Sequence, residues 1–184
     1  MCFGPDSGPP IPPIAGAAVD GQRIELTSAD GTRFLAYAAD APQPTGAAML
    51  ILPDVRGLHS FYRELALRFA EAGVDALAID YFGRTAGTGQ RAEEFDFMAH
   101  VQQARYPSLA ADLESAAHHL RSRHDVRTLF TVGFCFGGRL AFLSAAMPRL
   151  GLSGAIGFYG VPLGPGRAET PAPAELASEM QCPV

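Results

Sequence analysis

The sequence predicts an α/β fold, a mostly parallel sheet with helices on both faces and an antiparallel hairpin at its N-terminal edge. Three observations point there. Two alternating polar and apolar stretches, 22–27 and 32–37, flank the turn Ser28-Ala29-Asp30-Gly31. A continuous apolar run at 47–52, as expected of a strand covered on both faces, is followed by further strand-like stretches at 74–79, 127–132 and 154–159. Between these runs lie stretches with helical periodicity, so strands and helices alternate and parallel pairing with crossover helices is implied.

Residues 1–15 hold Pro5, Pro9, Pro10, Pro12 and Pro13, which exclude regular structure and predict an extended arm. After the hairpin, Pro42, Pro44 and Gly46 break the chain ahead of the 47–52 strand. Residues 53–60 are read as a loop. A helix is predicted over 61–72, with Phe61, Leu65 and Phe69 along one face and Gly73 as its stop. The glycine-rich 80–89 stretch is read as loop and 91–103 as helix. Ser108 is expected to cap a helix over 109–123, with Leu109, Leu113 and Leu120 turned inward. A helix over 136–147 is stopped by Pro148. A long proline-marked loop then precedes a short helical stretch at 174–180. No repeat or linker divides the chain, so 184 residues with 48% hydrophobic content are read as one domain.

In parallel sheets, ligands bind beyond the carboxyl ends of the strands, and three loops meet that condition: 53–59, 80–84 and the junction after 127–132. The junction reads Gly133-Phe134-Cys135-Phe136-Gly137-Gly138. Glycines two residues before and after Cys135 reproduce the spacing of a nucleophile elbow, with sulfur in place of the hydroxyl. A sharp strand-to-helix turn leaves no room for side chains at those two places. The helix that follows would aim free N–H groups and its positive dipole end at the sulfur, favouring thiolate and offering the Phe136 N–H as an oxyanion donor. The competing reading of Cys135 is a buried packing residue. Neither a phosphate loop nor a dinucleotide fingerprint is present.

Composition narrows the partners. A net charge of −5 leaves no basic patch for nucleic acid, and no apolar run approaches the roughly 20 residues of a membrane span. A small-molecule substrate is the expected partner. Met1-Cys2-Phe3-Gly4-Pro5 does not resemble a secretory signal, and the widely spaced Cys2, Cys135 and Cys182 argue for a reducing, cytoplasmic setting. The five histidines and three cysteines form no zinc spacing.

The elbow, with Leu140-Ala141-Phe142 behind it, closely resembles the dienelactone hydrolase family, cysteine-dependent members of the α/β-hydrolase fold. Ile51-Leu52-Pro53-Asp54-Val55-Arg56-Gly57-Leu58, Ala78-Ile79-Asp80-Tyr81-Phe82-Gly83-Arg84 and Gly157-Phe158-Tyr159-Gly160 resemble further family stretches in the expected order. The resemblance implies hydrolysis of a small ester or lactone, often carboxylated, without metal or cofactor. It makes Asp54 the counterpart of a family glutamate that holds or receives the thiol proton, one methylene shorter, so that contact with Cys135 would need a water. It makes the Val55 N–H the second oxyanion donor. It also places the triad acid and histidine beyond two further strands, so the chain is expected to be truncated at its C-terminal end, with an unpaired apolar sheet edge and weak turnover.

Arg84 is either a clamp for a substrate carboxylate or a surface arginine. His59 is the one histidine in a loop at the carboxyl ends of the strands; a cleft-lining or capping role is preferred to general base. His100, His118, His119 and His124 are read as solvated. Asp80 is expected to fix a loop through backbone N–H groups. Tyr159 is expected to pack in the core with its hydroxyl at the cleft rim. Three functions follow: a dienelactone-type hydrolase, a general carboxylesterase or thioesterase on the same fold, or a catalytically silent binding module.

Overall fold

The computed structural model describes residues 7–14, 19–89, 95–123 and 126–184. Within them the hairpin forms as the alternation requires. β1 (Gly21–Thr27) pairs antiparallel with β2 (Arg33–Ala39), and the Ser28 N–H and carbonyl close the turn between them. β3 (Ala47–Leu52), β4 (Val74–Ile79), β5 (Thr128–Phe134) and β6 (Gly154–Phe158) follow, and the six strands lie in the order β1-β2-β4-β3-β5-β6. β2 meets β4 antiparallel, whereas β4, β3, β5 and β6 are mutually parallel. The expected α/β-hydrolase architecture is the observed one.

Alternation along the central strands sorts the core into two layers. Met49 and Ile51 of β3, Ala76 and Ala78 of β4, and Val132 and Phe134 of β5 pack on α1 (Ser60–Glu71) through Phe61, Tyr62, Leu65, Ala66 and Ala70. Leu50, Leu52, Leu77, Ile79 and Leu129 point the other way. They meet α4 (Tyr106–Arg121) and α5 (Phe136–Ala145) through Leu109, Leu113, Leu120, Leu140 and Leu143. A strand alternating between two covered faces needs no polar residue, which is why the 47–52 run is wholly apolar.

Several boundaries differ from expectation. The 80–89 loop contains a single helical turn, α2 (Gly83–Ala86). The helix expected over 91–103 is α3 (Phe97–Gln103), started by Asp96, whose carboxylate accepts the Ala99 N–H at 3.3 Å; residues 91–94 lie outside the described residues. Ser108 does not cap α4. Pro107 sits inside its first turn, where a missing N–H costs nothing, and extended Arg105 precedes the helix. The 174–180 stretch forms 3₁₀ turns over Pro173–Glu179 rather than an α-helix. Of the proline-rich arm, residues 7–14 are irregular and largely exposed, and the Ile14 N–H reaches the Glu71 carboxylate on α1. His124 and Cys2 lie outside the described residues.

β6 is the outer strand at its edge of the sheet. Ile156 and Phe158 are 46% and 47% exposed, and the Ala155 N–H donates to the Pro183 carbonyl at 3.0 Å. No helix among the described residues is long and apolar enough to cross a membrane.

Candidate active site

β5 ends at Phe134 and α5 begins at Phe136, so Cys135 alone makes the turn, with φ 55° and ψ −113°. A positive φ on a non-glycine residue costs on the order of 1–3 kcal/mol and persists only where its surroundings enforce it. Here they do. The Cys135 N–H donates to the Phe158 carbonyl at 3.0 Å and its carbonyl accepts the Arg139 N–H at 3.2 Å. A hydroxyl bond of 2.9 Å between Thr131 and Ser144 ties β5 to α5 behind the turn. Cys135 is a free thiol, partly exposed rather than buried among aliphatic neighbours.

The flanking glycines have a steric cause. A Cβ on Gly133 would overlap the Gly137 carbonyl, and one on Gly137 would overlap the backbone carbonyls of Leu52 and Pro53. The first turn of α5 therefore rests directly on the end of β3. That contact brings the Pro53–Gly57 segment beside the elbow.

In this segment the Gly57 N–H donates to the Asp54 carbonyl at 3.0 Å, closing a turn whose second residue is Val55. Gly57 takes φ 79°, and a side chain there would strike the Asp80 carboxylate. Asp80 accepts the Leu58 and Phe82 N–H groups, both at 3.2 Å, so it fixes the loop in the expected manner. Among the described residues neither the Val55 N–H nor the Phe136 N–H has a protein partner.

The Asp54 carboxylate is fully buried and faces Arg56 and His59. Arg56 reaches it with its backbone N–H (2.9 Å), Nε (3.1 Å) and Nη2 (2.6 Å), and His59 Nε2 lies 3.4 Å from Oδ2. Burial pushes its pKa up, but the hydrogen bonds from His59 and Arg56, with the Arg56 charge, outweigh it and hold the carboxyl well below the usual carboxylate range. Among the described residues no hydrogen bond joins Asp54 to Cys135. His59 stands at the head of α1 with its ring edge-on to Tyr62 at 4.7 Å, and its side chain makes no cap. None of the described histidines hydrogen-bonds Cys135.

Two expectations are corrected. Arg84 does not offer its guanidinium to a ligand: it bonds Asp30, Thr32 and Ser28 at the hairpin turn and Asp112 on α4. It is a strut between the hairpin and the helix layer, required because the Asp112 carboxylate is buried and needs a cationic partner. Arg84→Met should therefore cost about 2–4 kcal/mol, because the buried carboxylate loses its ion pair. The loss is read in a denaturant titration, with no change in the relative rates on carboxylated and neutral esters. Tyr159 is the second correction. It is 46% exposed at φ 44°, its ring 6.3 Å from Phe134, so it borders the sheet end rather than packing in the core.

Sequence reasoning missed two contributors. Arg56 was legible only as the neighbour of Asp54. Arg139, on α5 just after the elbow glycines, is buried and donates to the Val161, Thr170 and Pro171 carbonyls and to the Thr170 hydroxyl, strapping the loop after β6 onto α5. An arginine in a helix that begins in glycines gave no sign of this.

The profile of the dienelactone hydrolase family matches residues 34–184. This chain belongs to the dienelactone hydrolase family. Among curated relatives, the carboxymethylenebutenolidase of Rhodococcus opacus is 29% identical over 195 residues, taking in 100% of this chain and 69% of its own. That of Pseudomonas putida is 30% identical over 149 residues, 76% of this chain and 61% of its own. A Klebsiella pneumoniae crystal structure assigned to the dienelactone hydrolases superposes with a TM-score of 0.74 at 26% identity, over 91% of this chain and 71% of that one. The chain thus spans about two thirds of the length of the family members it matches.

Proposed function

We propose that this dienelactone hydrolase family chain is a hydrolase of small esters or lactones that works through an acyl-enzyme on Cys135. The observation that carries the reading is the positive φ of Cys135 at a strand–helix junction whose neighbouring amides, Phe136 and Val55, are unspent. The thiolate adds to the carbonyl carbon, forming a C–S bond, while the displaced electron pair moves to oxygen and is received by the two N–H groups. Reforming the carbonyl breaks the C–O bond and expels the alkoxide, which takes a proton from solvent. Water then cleaves the thioester, giving the acid and returning the thiol.

Asp54, held ionised by its partners, acts as a hydrogen-bond acceptor near the elbow rather than as an acid. His59 and Tyr159 border the approach at the carboxyl ends of the strands. With Arg84 engaged elsewhere, a simple ester or thioester is as well accommodated as a carboxylated lactone. A reducing cytoplasm suits a nucleophile that must remain a free thiol.

p-Nitrophenyl acetate tests this. The expected result is one equivalent of p-nitrophenolate per chain and an acetyl group on the Cys135 peptide by mass spectrometry. Turnover after it should be slow, because no described histidine is bonded to the sulfur. The sequence contains no lysine, so acetylation found on surface hydroxyls or imidazoles with none on Cys135 would contradict the proposal.

A further inference from the structure

The Pro53–Asp54 peptide group is gripped at both ends by tyrosine hydroxyls from different elements. Tyr81, on the loop after β4, donates its O–H to the Pro53 carbonyl at 2.8 Å. Tyr62, on α1, accepts the Asp54 N–H on its hydroxyl oxygen at 2.9 Å. Because a peptide group is planar, fixing its oxygen and its N–H together fixes its orientation. The next peptide, Asp54–Val55, is held only at its oxygen, by the Gly57 N–H, and its other end is the unspent Val55 N–H. Two consecutive peptides are thus set in direction, and the one group left over is the donor the reaction needs.

The same two rings bracket the nucleophile. Tyr81 meets Phe136 edge-on, with centroids 5.3 Å apart, and Tyr62 lies 5.8 Å from Phe134. Phe134 and Phe136 are the two chain neighbours of Cys135. Each tyrosine therefore touches one side of the elbow and one end of the peptide that leads to Val55.

We propose that Tyr62 and Tyr81 are positioning residues that hold the Val55 N–H in register with the Cys135 sulfur and the Phe136 N–H. The inference rests on the nucleophile assignment of the preceding section. Both hydroxyls are buried, and burial keeps both phenols protonated well above the usual range, so the grip does not change with pH in the working range. Loss of one hydroxyl leaves the ring packing in place but frees one end of the peptide, and misplacing a donor costs part of its catalytic worth.

The test separates reactions that develop an oxyanion from one that does not. Acylation of Cys135 by p-nitrophenyl acetate passes through a tetrahedral oxyanion, whereas alkylation by iodoacetamide displaces iodide and needs no such donor. Tyr62→Phe and Tyr81→Phe in the full chain should each slow acylation about tenfold. Alkylation, followed on the Cys135 peptide by mass spectrometry, should stay within twofold of wild type. Equal falls in both reactions for both variants would overturn the inference, since the tyrosines would then only maintain the thiol's surroundings. Unchanged acylation in both, with Cys135→Ala inactive, would also overturn it. Acylation that survives Cys135→Ala would sink the nucleophile assignment itself and this inference with it. Should one variant fail to fold, the other carries the comparison.

Discussion

Cys135→Ala should bring p-nitrophenolate release down to the rate of buffer alone, a fall of roughly a hundredfold or more, because the acyl acceptor itself is removed. The fold should survive, since alanine is the smaller residue and the positive φ is imposed by bonds to the backbone of position 135, not to its side chain. Cys135→Ser is the sharper experiment. It keeps the elbow, both amides and the helix terminus, and it changes only the acidity of the nucleophile. A thiol is intrinsically acidic enough to supply some thiolate near neutral pH, but a serine hydroxyl needs a base to take its proton. With no described histidine bonded to this position, the serine variant should be nearly as slow as the alanine one. A serine variant that acylates at the cysteine rate would mean that a base reaches the site unseen in the described residues. Site-resolved mass spectrometry of the acetylated peptide distinguishes these outcomes.

Much of the elbow's geometry is legible in the sequence. The spacing of Gly133, Cys135 and Gly137 encodes a steric fact, that strand, turn and helix backbones come into contact, and steric facts of this kind leave glycine in the sequence wherever they apply. The strands were legible for a similar reason: burial on two faces favours apolar runs, of which 47–52 is the unbroken instance. Arg84 shows the limit. Its place after β4 on the carboxyl side of the sheet was right, yet which way a long side chain turns depends on where its counter-charges lie, and Asp30 and Asp112 are 54 and 28 residues away in sequence. Pairings at such separations have no local signature. The tyrosine grip is hidden in the same way, because Tyr62 reads as one more apolar-face residue of a helix and Tyr81 as one more loop aromatic. Only the convergence of α1, the β4 loop and the end of β3 gives their hydroxyls a shared peptide to hold. Ser108 misled as a cap for a different reason: the proline before it is tolerated in the first turn of a helix as readily as ahead of it, so the helix start is bounded only to within a few residues.

Gly137→Ala carries the largest expected effect on stability, and it ties the fold to the chemistry. The added methyl would overlap the carbonyl oxygens of Leu52 and Pro53, which belong to a central strand and its immediate exit. A flexible side chain could move aside, but these are backbone groups held between β4 and β5, so α5 must lift off the sheet. Overpacking against movable neighbours costs typically 1–3 kcal/mol, and against fixed ones about 3 kcal/mol or more. For a domain with a total stability of roughly 5–15 kcal/mol that is a large fraction, and it should lower the melting temperature by about 6–12 °C. Gly89→Ala is the matched control, with open space at the Cβ position and no positive φ, and it should melt within about 2 °C of wild type. Lifting α5 also moves the Phe136 N–H away from the Val55 N–H. Acylation by the fraction of Gly137→Ala that remains folded at low temperature should therefore fall as well, whereas a substitution that only weakened the fold would leave that fraction fully reactive. A Gly137→Ala protein that melts with the control would show that the contact between α5 and β3 yields more readily than a backbone-on-backbone overlap permits, and the steric account of the elbow would fail with it.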